Sequence, residues 1–405
     1  MKIERQIGLA IRGMFPVVVA ASCWLPFASR AEDSQKIEDI KLVGPENLGF
    51  FAERVRKHEH VVIGYLGGSI TQGCGASQYA NNYFWKSWLA LNAEIKKRGG
   101  TAAPINVAIG GTGSNYGAYR VGTQLLSKNL DLLIVEFAVN DCPGDKAAAI
   151  AAKKDMVDGV ESIVRQALTK NPKMGIVFLY TSVAGFQEMY YSKGVVTPAI
   201  EAHHSVALHY GITEAITGPL IDKGLKDNSF TLRTFFPDKT HPSDVGHDLY
   251  AKTLVSAILP GFDLPAPAEP KSLPFLLGGG KYEYARLDPI TTPLSSDGWA
   301  LGGSRNNWPD KVWRTETAGK PFTFKAHGKS IQLLFNGKLK VTWKSGGKDN
   351  TKELTGNPEG AFPKPGGFVF PEDANPDGEV VTVEAVPNAP AKDNGAVFGI
   401  YYLEK

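Results

Sequence analysis

The sequence predicts an α/β protein, a doubly wound parallel sheet followed by a C-terminal antiparallel β-sandwich. Three observations carry this reading. The chain has 405 residues, too many for one ordinary core. From residue 61 to about 259, short apolar runs alternate with longer amphipathic ones, and after a proline-rich stretch the character changes.

The apolar runs cover residues 61–65, 105–109, 132–137 and 176–180. Each is strand-sized and largely apolar on both faces, as strands of a parallel sheet covered by helices must be. Between them the spacing predicts helices over 83–97, 116–126, 146–168 and 197–209, with Asp145 placed to cap the third. A last helix begins at Pro242, where proline suits the first turn, and runs to 258. A domain over 38–262 follows, and its ligands belong beyond the carboxyl ends of the strands.

Residues 263–274, with Pro265, Pro267, Pro270 and Pro274, read as a linker. In 275–405 the β runs at 322–324, 331–333, 341–343, 380–383 and 399–402 are short and divided by Gly, Pro and Asn turns, the pattern of a sandwich. Trp299, Trp308, Trp313 and Trp343 fall here, as core or as exposed platforms for sugar rings.

Residues 1–31 read as an export signal. Basic residues precede an uncharged apolar stretch over 13–29, and Ser29-Arg30-Ala31 offers small residues for cleavage. Pro16, Pro26 and a length at the short end of a bilayer span disfavour a membrane anchor. A lipoprotein signal at Cys23 fits less well, with Ala20 at its first position and Trp24 after the cysteine. Lys2, Arg5, Arg12 and Arg30 against Glu4 account for the whole net charge of +3, so the mature chain is near neutral. That gives no electrostatic reason to expect nucleic acid or an anionic membrane as partner, and no later segment is apolar enough to span one. The expectation is a soluble protein, secreted or periplasmic.

Four segments fall where an α/β site must lie. Gly67-Gly68-Ser69-Ile70-Thr71 presents a serine hydroxyl at a strand end, and residues 106–114 offer unobstructed glycine N–H groups. Ala138-Val139-Asn140-Asp141 follows the third strand, and Asp238-Lys239-Thr240-His241-Pro242 precedes the last helix. A serine hydroxyl is a poor nucleophile at neutral pH and needs a base, usually a histidine held by a carboxylate. Asp238 and His241 are close enough in sequence to share one loop. The oxyanion formed on attack needs donors, for which the Ser69 N–H, the Gly111 N–H and the Asn140 amide are candidates.

In this order, the four segments resemble the blocks of the SGNH (GDSL-like) hydrolases, over about 41–260. The resemblance implies a flavodoxin-like α/β fold with Ser69 as nucleophile, His241 as base and then acid, and Asp238 orienting it. Ser69, Gly111 and Asn140 form the implied oxyanion hole, Gly111 fitting the second block better than Gly110. Gly68 stands where the name motif has Asp, and Ala138 where the third block often has Gly. These departures remove no catalytic atom.

The resemblance further implies an esterase releasing small acyl groups, acetyl above all, from a carbohydrate. A lipase or lysophospholipase, an O-acetyltransferase and a non-catalytic carbohydrate-binding protein remain open as alternatives. No cofactor is expected and no metal. His203, His204 and His209 share a helix without acids or cysteines at ligand spacing and read as surface or boundary residues, and His247 as structural. Cys74 lies five residues after Ser69 and Cys142 two after Asn140. Should the two loops meet, a disulfide beside the pocket is possible; two reduced thiols are the other reading.

Overall fold

The computed structural model describes residues 34–303, 311–315, 317–326, 329–345, 348–355, 365–369, 379–385 and 396–403. The expected leader with Cys23, and Trp308, lie outside the described residues.

Five strands, β1 (His60–Gly67), β2 (Thr101–Asn106), β3 (Leu132–Glu136), β4 (Gly175–Tyr180) and β5 (Thr213–Ile216), form one sheet in the order β2-β1-β3-β4-β5. All neighbouring pairs are parallel. This is the doubly wound order with its switch point at β1 and β3, where a ligand crevice opens beyond the strand ends. The two faces of the sheet feed two cores. Leu133 and Val135 of β3 point to one, while Leu132 and Ile134 point to the other. Every residue of β3 and β4 is buried, which is why those runs are apolar without alternation.

The helices are α1 (Gly49–Arg56), α2 (Ser69–Gln72), α3 (Tyr83–Lys97), α4 (Ser114–Gln124), α5 (Ala138–Asp141), α6 (Lys146–Ala151), α7 (Lys153–Lys170), α8 (Ala184–Met189), α9 (Pro198–Tyr210), α10 (Gly218–Lys226), α11 (Leu232–Phe235) and α12 (Asp244–Ile258). Asp145 caps α6 through the Ala148 N–H at 2.8 Å, as its position predicts. The helix predicted over 146–168 is two helices, divided at Ala152. The strand predicted over 105–109 starts earlier, at Thr101, and ends at Asn106. There the Asn106 side chain turns the chain, donating to the Thr71 carbonyl at 2.9 Å and accepting the Ala108 N–H at 2.9 Å.

Among the described residues ten antiparallel strands follow: β6 (Ala285–Asp288), β7 (Ala300–Gly303), β8 (Lys311–Arg314), β9 (Pro321–Ala326), β10 (Lys329–Asn336), β11 (Lys338–Ser345), β12 (Lys348–Thr355), β13 (Pro365–Val369), β14 (Glu379–Ala385) and β15 (Ala396–Leu403). One sheet runs β13-β10-β15-β8-β7, with β6 also on β15; the other runs β12-β11-β14-β9. Leu333, Phe335 and Val397 from the first meet Phe322, Phe324, Val341 and Val383 from the second in a shared core. Trp299 and Trp313 are buried in it, their indole N–H groups donating to the carbonyls of Lys320 and Ile290 at 2.9 Å, and Trp343 packs against it. None of these three is an open platform.

The segment entering this region is strapped to α7 and α4. Glu161, fully buried on α7, accepts the N–H groups of Leu277 (2.6 Å) and Gly278 (2.8 Å) and the Tyr210 hydroxyl (2.7 Å). Arg165 donates to Glu283 at 2.6 Å and to the Pro274 carbonyl at 2.8 Å, and Thr123 of α4 donates to the Leu287 carbonyl at 3.0 Å. Tyr282, Ala285, Leu287, Val312 and Leu334 then complete the core on the α4–α7 face of the parallel sheet. Removing the Glu161 carboxylate would leave the buried Tyr210 hydroxyl and two part-buried backbone N–H groups without their acceptor, a buried donor alone costing about 1–3 kcal/mol. Glu161→Ala should therefore lower stability by about 3 kcal/mol in urea unfolding; a loss within about 0.5 kcal/mol, the range of an ordinary surface change, would contradict this account of the strap.

Candidate active site

Ser69 sits where β1 passes through Gly67 and Gly68 into α2. This turn has no space for side chains. A Cβ on Gly67 would overlap the Thr71 hydroxyl, and one on Gly68 would overlap the amide oxygen of Asn140. The absence of the motif aspartate at position 68 thus has a packing cause: the Asn140 side chain fills that space.

His241 reaches Ser69 across the fold. Its Nε2 lies 2.9 Å from Ser69 Oγ and its Nδ1 lies 2.7 Å from Asp238 Oδ2. A carboxylate only accepts, so Nδ1–H donates to Asp238 and the lone pair on Nε2 faces the serine hydroxyl. Asp238 Oδ1 accepts the backbone N–H groups of Thr240 (2.9 Å) and His241 (2.7 Å), closing the loop on itself. Its slight burial favours the neutral form, but these bonds and the imidazole outweigh it and hold the carboxyl down to about 2. Lys239 adopts a left-handed conformation between them (φ 68°), and its carbonyl accepts the Ala184 N–H at 3.1 Å.

The remaining candidates come from the loops beyond β2 and β3. After Asn106 the chain stays hooked to β1, with Val107 N–H on the Tyr65 carbonyl and Ile109 N–H on that of Gly67, both at 3.0 Å. The Gly110 N–H is committed to Gln72 Oε1 at 3.1 Å. Gly111 takes a left-handed turn (φ 70°) with open space beside its Cα. Asn140, on α5, lies against Gly68. The structure thus brings together Ser69, His241 and Asp238 by direct hydrogen bonds, sets Asn140 beside the serine's turn, and favours Gly111 over Gly110 as the backbone donor.

Residues 65–249 match the model of the GDSL-like lipase/acylhydrolase family. They form a GDSL-like acylhydrolase domain. Its enzyme class is that of the carboxylic ester hydrolases. No curated protein sequence matches the chain. Among solved structures it is similar to a two-domain esterase (CEX) active on acetylated mannans, at 20% identity and a TM-score of 0.67 over 89% of this chain and 96% of that one. A second structure, of such an esterase co-crystallised with mannopentaose, matches at 19% identity and a TM-score of 0.66 over 92% and 96% of the two chains. The shared fold therefore includes the antiparallel C-terminal region.

Several polar residues around the acylhydrolase site escaped the sequence reading. Glu136, the last residue of β3, is buried and accepts hydrogen bonds from Thr71 and Thr181 at 2.7 Å and from the Gly68 N–H. Its signal was a charge inside an otherwise apolar strand. Asp141 accepts the Ser114 N–H at 2.7 Å and pairs with His203 at 2.8 Å, tying the start of α4 to the segment that carries Asn140. His203 and His204 are buried rather than surface or boundary residues, because each faces a carboxylate: Asp141 for the first and Glu214, at 3.0 Å, for the second. His209, more exposed, faces the Phe275 carbonyl at 2.8 Å. His247 accepts the Tyr83 N–H at 3.2 Å and donates to the Cys74 carbonyl at 3.1 Å, fixing the loop after α2 from beneath.

The disulfide between Cys74 and Cys142 is not formed, and both are free thiols. The Cys142 thiol is turned to Thr197 and the Ala199 backbone at the start of α9, and burial pushes it up to about 11. Cys74 lies near Asp238 instead, and burial, with that charge, raises it too. Among the described residues no cluster of three or more His, Cys, Asp or Glu side chains could hold a metal ion, and no helix is long and apolar enough to cross a membrane.

Two buried groups act oppositely on the pH dependence of stability. Burial lowers His247 to about 4, so it stays neutral in the native state while its unfolded counterpart protonates near 6.5. Its contribution is complete above pH 6.5 and lost as pH falls toward 4. Burial raises Glu136 to about 7 from its ordinary 4.5, so the native state holds an extra proton in that window and stability falls as pH rises through it. Removing either group should unmask the other. From pH 6.5 to 4.5, Glu136→Gln should lose stability relative to wild type and His247→Gln should gain it, each by up to about 1.4 kcal/mol per pH unit. Urea midpoints at three pH values check this, and parallel profiles for the two variants would contradict it.

Proposed function

We propose that this protein is an exported serine esterase that removes acetyl groups from the hydroxyls of a carbohydrate. The observation that carries the reading is the hydrogen-bonded line from Asp238 through His241 to Ser69 Oγ, 2.7 and 2.9 Å long. As the Ser69 oxygen bonds to the ester carbonyl carbon, its proton passes to His241 Nε2. Asp238, ionised and bonded to Nδ1–H, keeps the ring oriented and stabilises the imidazolium. The carbonyl oxygen becomes an oxyanion, held by the N–H groups of Ser69 and Gly111 and by the Asn140 amide. Its collapse breaks the bond to the sugar oxygen, which takes the proton from His241 and leaves as a free hydroxyl. Water then enters, gives its proton to the same Nε2, and attacks the acyl-serine. The second collapse returns the proton to Ser69 and releases the acid.

The acetyl and carbohydrate parts of the reading draw on the likeness to the two-domain esterase active on acetylated mannans. Export draws on the character of residues 1–31, and a near-neutral mature chain suits an uncharged polymer better than nucleic acid.

The test is hydrolysis of aryl esters from acetate to palmitate, followed by acetylated polysaccharides. Acetate should be the best ester, activity should fade with chain length, and acetylated mannan should release acetate. Ser69→Ala should reduce kcat by about 10⁴-fold or more, and Asn140→Ala by about 10²–10³-fold with little change in KM. A preference for long acyl chains would turn the reading to a lipase. Activity that survives Ser69→Ala would overturn the assignment of the nucleophile.

A further inference from the structure

The buried carboxylate of Glu136 lies directly behind the nucleophile's turn. Glu136 ends β3 in register with Gly67 of β1, and its three donors come from separate places: the Gly68 N–H, the Thr71 hydroxyl on α2 and the Thr181 hydroxyl just past β4. Thr71, having given its proton to Glu136, is left to accept from the Tyr83 hydroxyl at 2.6 Å, so α3 joins the same chain. Four residues after Glu136 comes Asn140. One strand end therefore governs both the turn that carries Ser69 and the segment that carries the candidate oxyanion amide.

A carboxylate buried at the end of an aliphatic strand costs several kcal/mol of desolvation. An aliphatic residue there would avoid that cost, but it would strand three donors. Those donors share one property: each belongs to a turn or helix start at the carboxyl edge of the sheet, where the site is built. A carboxylate accepts all three at once, whereas a protonated carboxyl or an amide carries a hydrogen on one side and must disturb one of them.

We propose that Glu136 is a positioning residue whose carboxylate holds the Gly68–Thr71 turn, and so keeps the Ser69 hydroxyl aligned with His241 and beside Asn140. The inference rests on Ser69 being the nucleophile. The groups facing Glu136 are Tyr83 of α3, Tyr250 of α12 and Asp141 of α5, while Arg120 of α4 donates to the Gly67 carbonyl at 3.2 Å. Burial raises Glu136 to about 7, against the pull of its hydrogen bonds. Its charge is therefore gained near neutral pH, and the acid limb of kcat contains the ionisation of Glu136.

The experiment measures kcat and KM on an aryl acetate from pH 5 to 9 for the full chain and for Glu136→Gln, Thr181→Val and Thr71→Val. A displacement of the nucleophile of about 1 Å costs on the order of 10²-fold. Glu136→Gln should show a kcat loss approaching that, with KM within about threefold of wild type. Its log kcat should fall with unit slope on the acid side, where wild type falls more steeply. Thr181→Val keeps the carboxylate, and should lose less activity and retain the steep limb. Should Glu136→Gln fail to fold, the two threonine variants decide: reduced kcat at unchanged KM supports the proposal and unchanged kcat overturns it. An active wild type with kcat and acid slope unaltered in Glu136→Gln overturns this inference alone. A wild type that hydrolyses no ester, or a Ser69→Ala variant that still does, overturns the site reading and this inference together.

Discussion

The site depends on how closely the ends of β1 and β3 approach. Gly67 lies in register with Glu136, and the next residues on each side, Gly68 and the α5 segment, are packed so that the Asn140 amide occupies the space a side chain at 68 would need. Two glycines in succession are the condition for this, and neither is there for its dihedral angles: φ at Gly68 is −91°, open to any residue. Space is the constraint. Because the strands are parallel and adjacent at the switch point of the sheet, their carboxyl ends converge without further machinery. Asn140 lies against Gly68, beside Ser69 in the chain, because β1 and β3 are neighbours.

The protein uses buried carboxylates at the end of β3, at the end of α5 and within β5 to gather hydrogen-bond donors. Glu136 serves the turn before Ser69, Asp141 the start of α4, and Glu214 of β5 the Val43 N–H (2.9 Å), the Tyr180 hydroxyl (2.6 Å) and His204. Each accepts from segments far apart in the chain. An acidic side chain with its acceptor sites filled can close several irregular backbone segments at one point, which apolar packing does less specifically because it has no direction. The cost is desolvation, visible in the raised affinity of Glu136 for its proton. Asp238 marks the contrast. Exposed and served by two backbone N–H groups, it stays ionised at little cost, as a partner for His241 must.

The parts of this structure that sequence shows are those in which a short segment contains its own explanation. Gly67-Gly68-Ser69 after an apolar run, Asn140 after another, and Asp238 three residues before His241 are each local, and their order along a β/α alternation places them on one edge. The carboxylate network is not local. Glu136 joins residues near 70 and 181, and nothing near it in sequence distinguishes a functional charge from an interruption of a strand. His203 and His204 carried no ligand spacing, and their carboxylate partners lie on α5 and β5, so their burial could not be seen. The cysteines show a case that sequence left open. Their nearness to Ser69 and Asn140 in sequence allowed either a disulfide or two reduced thiols; a side chain's direction is set by its own turn, and Cys142 faces α9.

The C-terminal strands show how a second region becomes part of the first. A proline-rich run suggests a tether, but the chain beyond it is held at once by Glu161 and Arg165 of α7, and β6 then packs against α4. β15 lies inside its sheet between β10 and β8 and also pairs with β6, so it joins the strands of the sheet that touches the α/β core. α4 itself starts at Ser114, directly after the Gly111 loop, and is pinned there by Asp141. The helix that follows the Gly111 loop is thus packed, at Tyr119 and Thr123, against Tyr282 and β6. Of the three cores, the one on the α4–α7 face is built from both regions, Tyr282, Ala285, Leu287, Val312 and Leu334 packing there with residues of the parallel sheet and its helices.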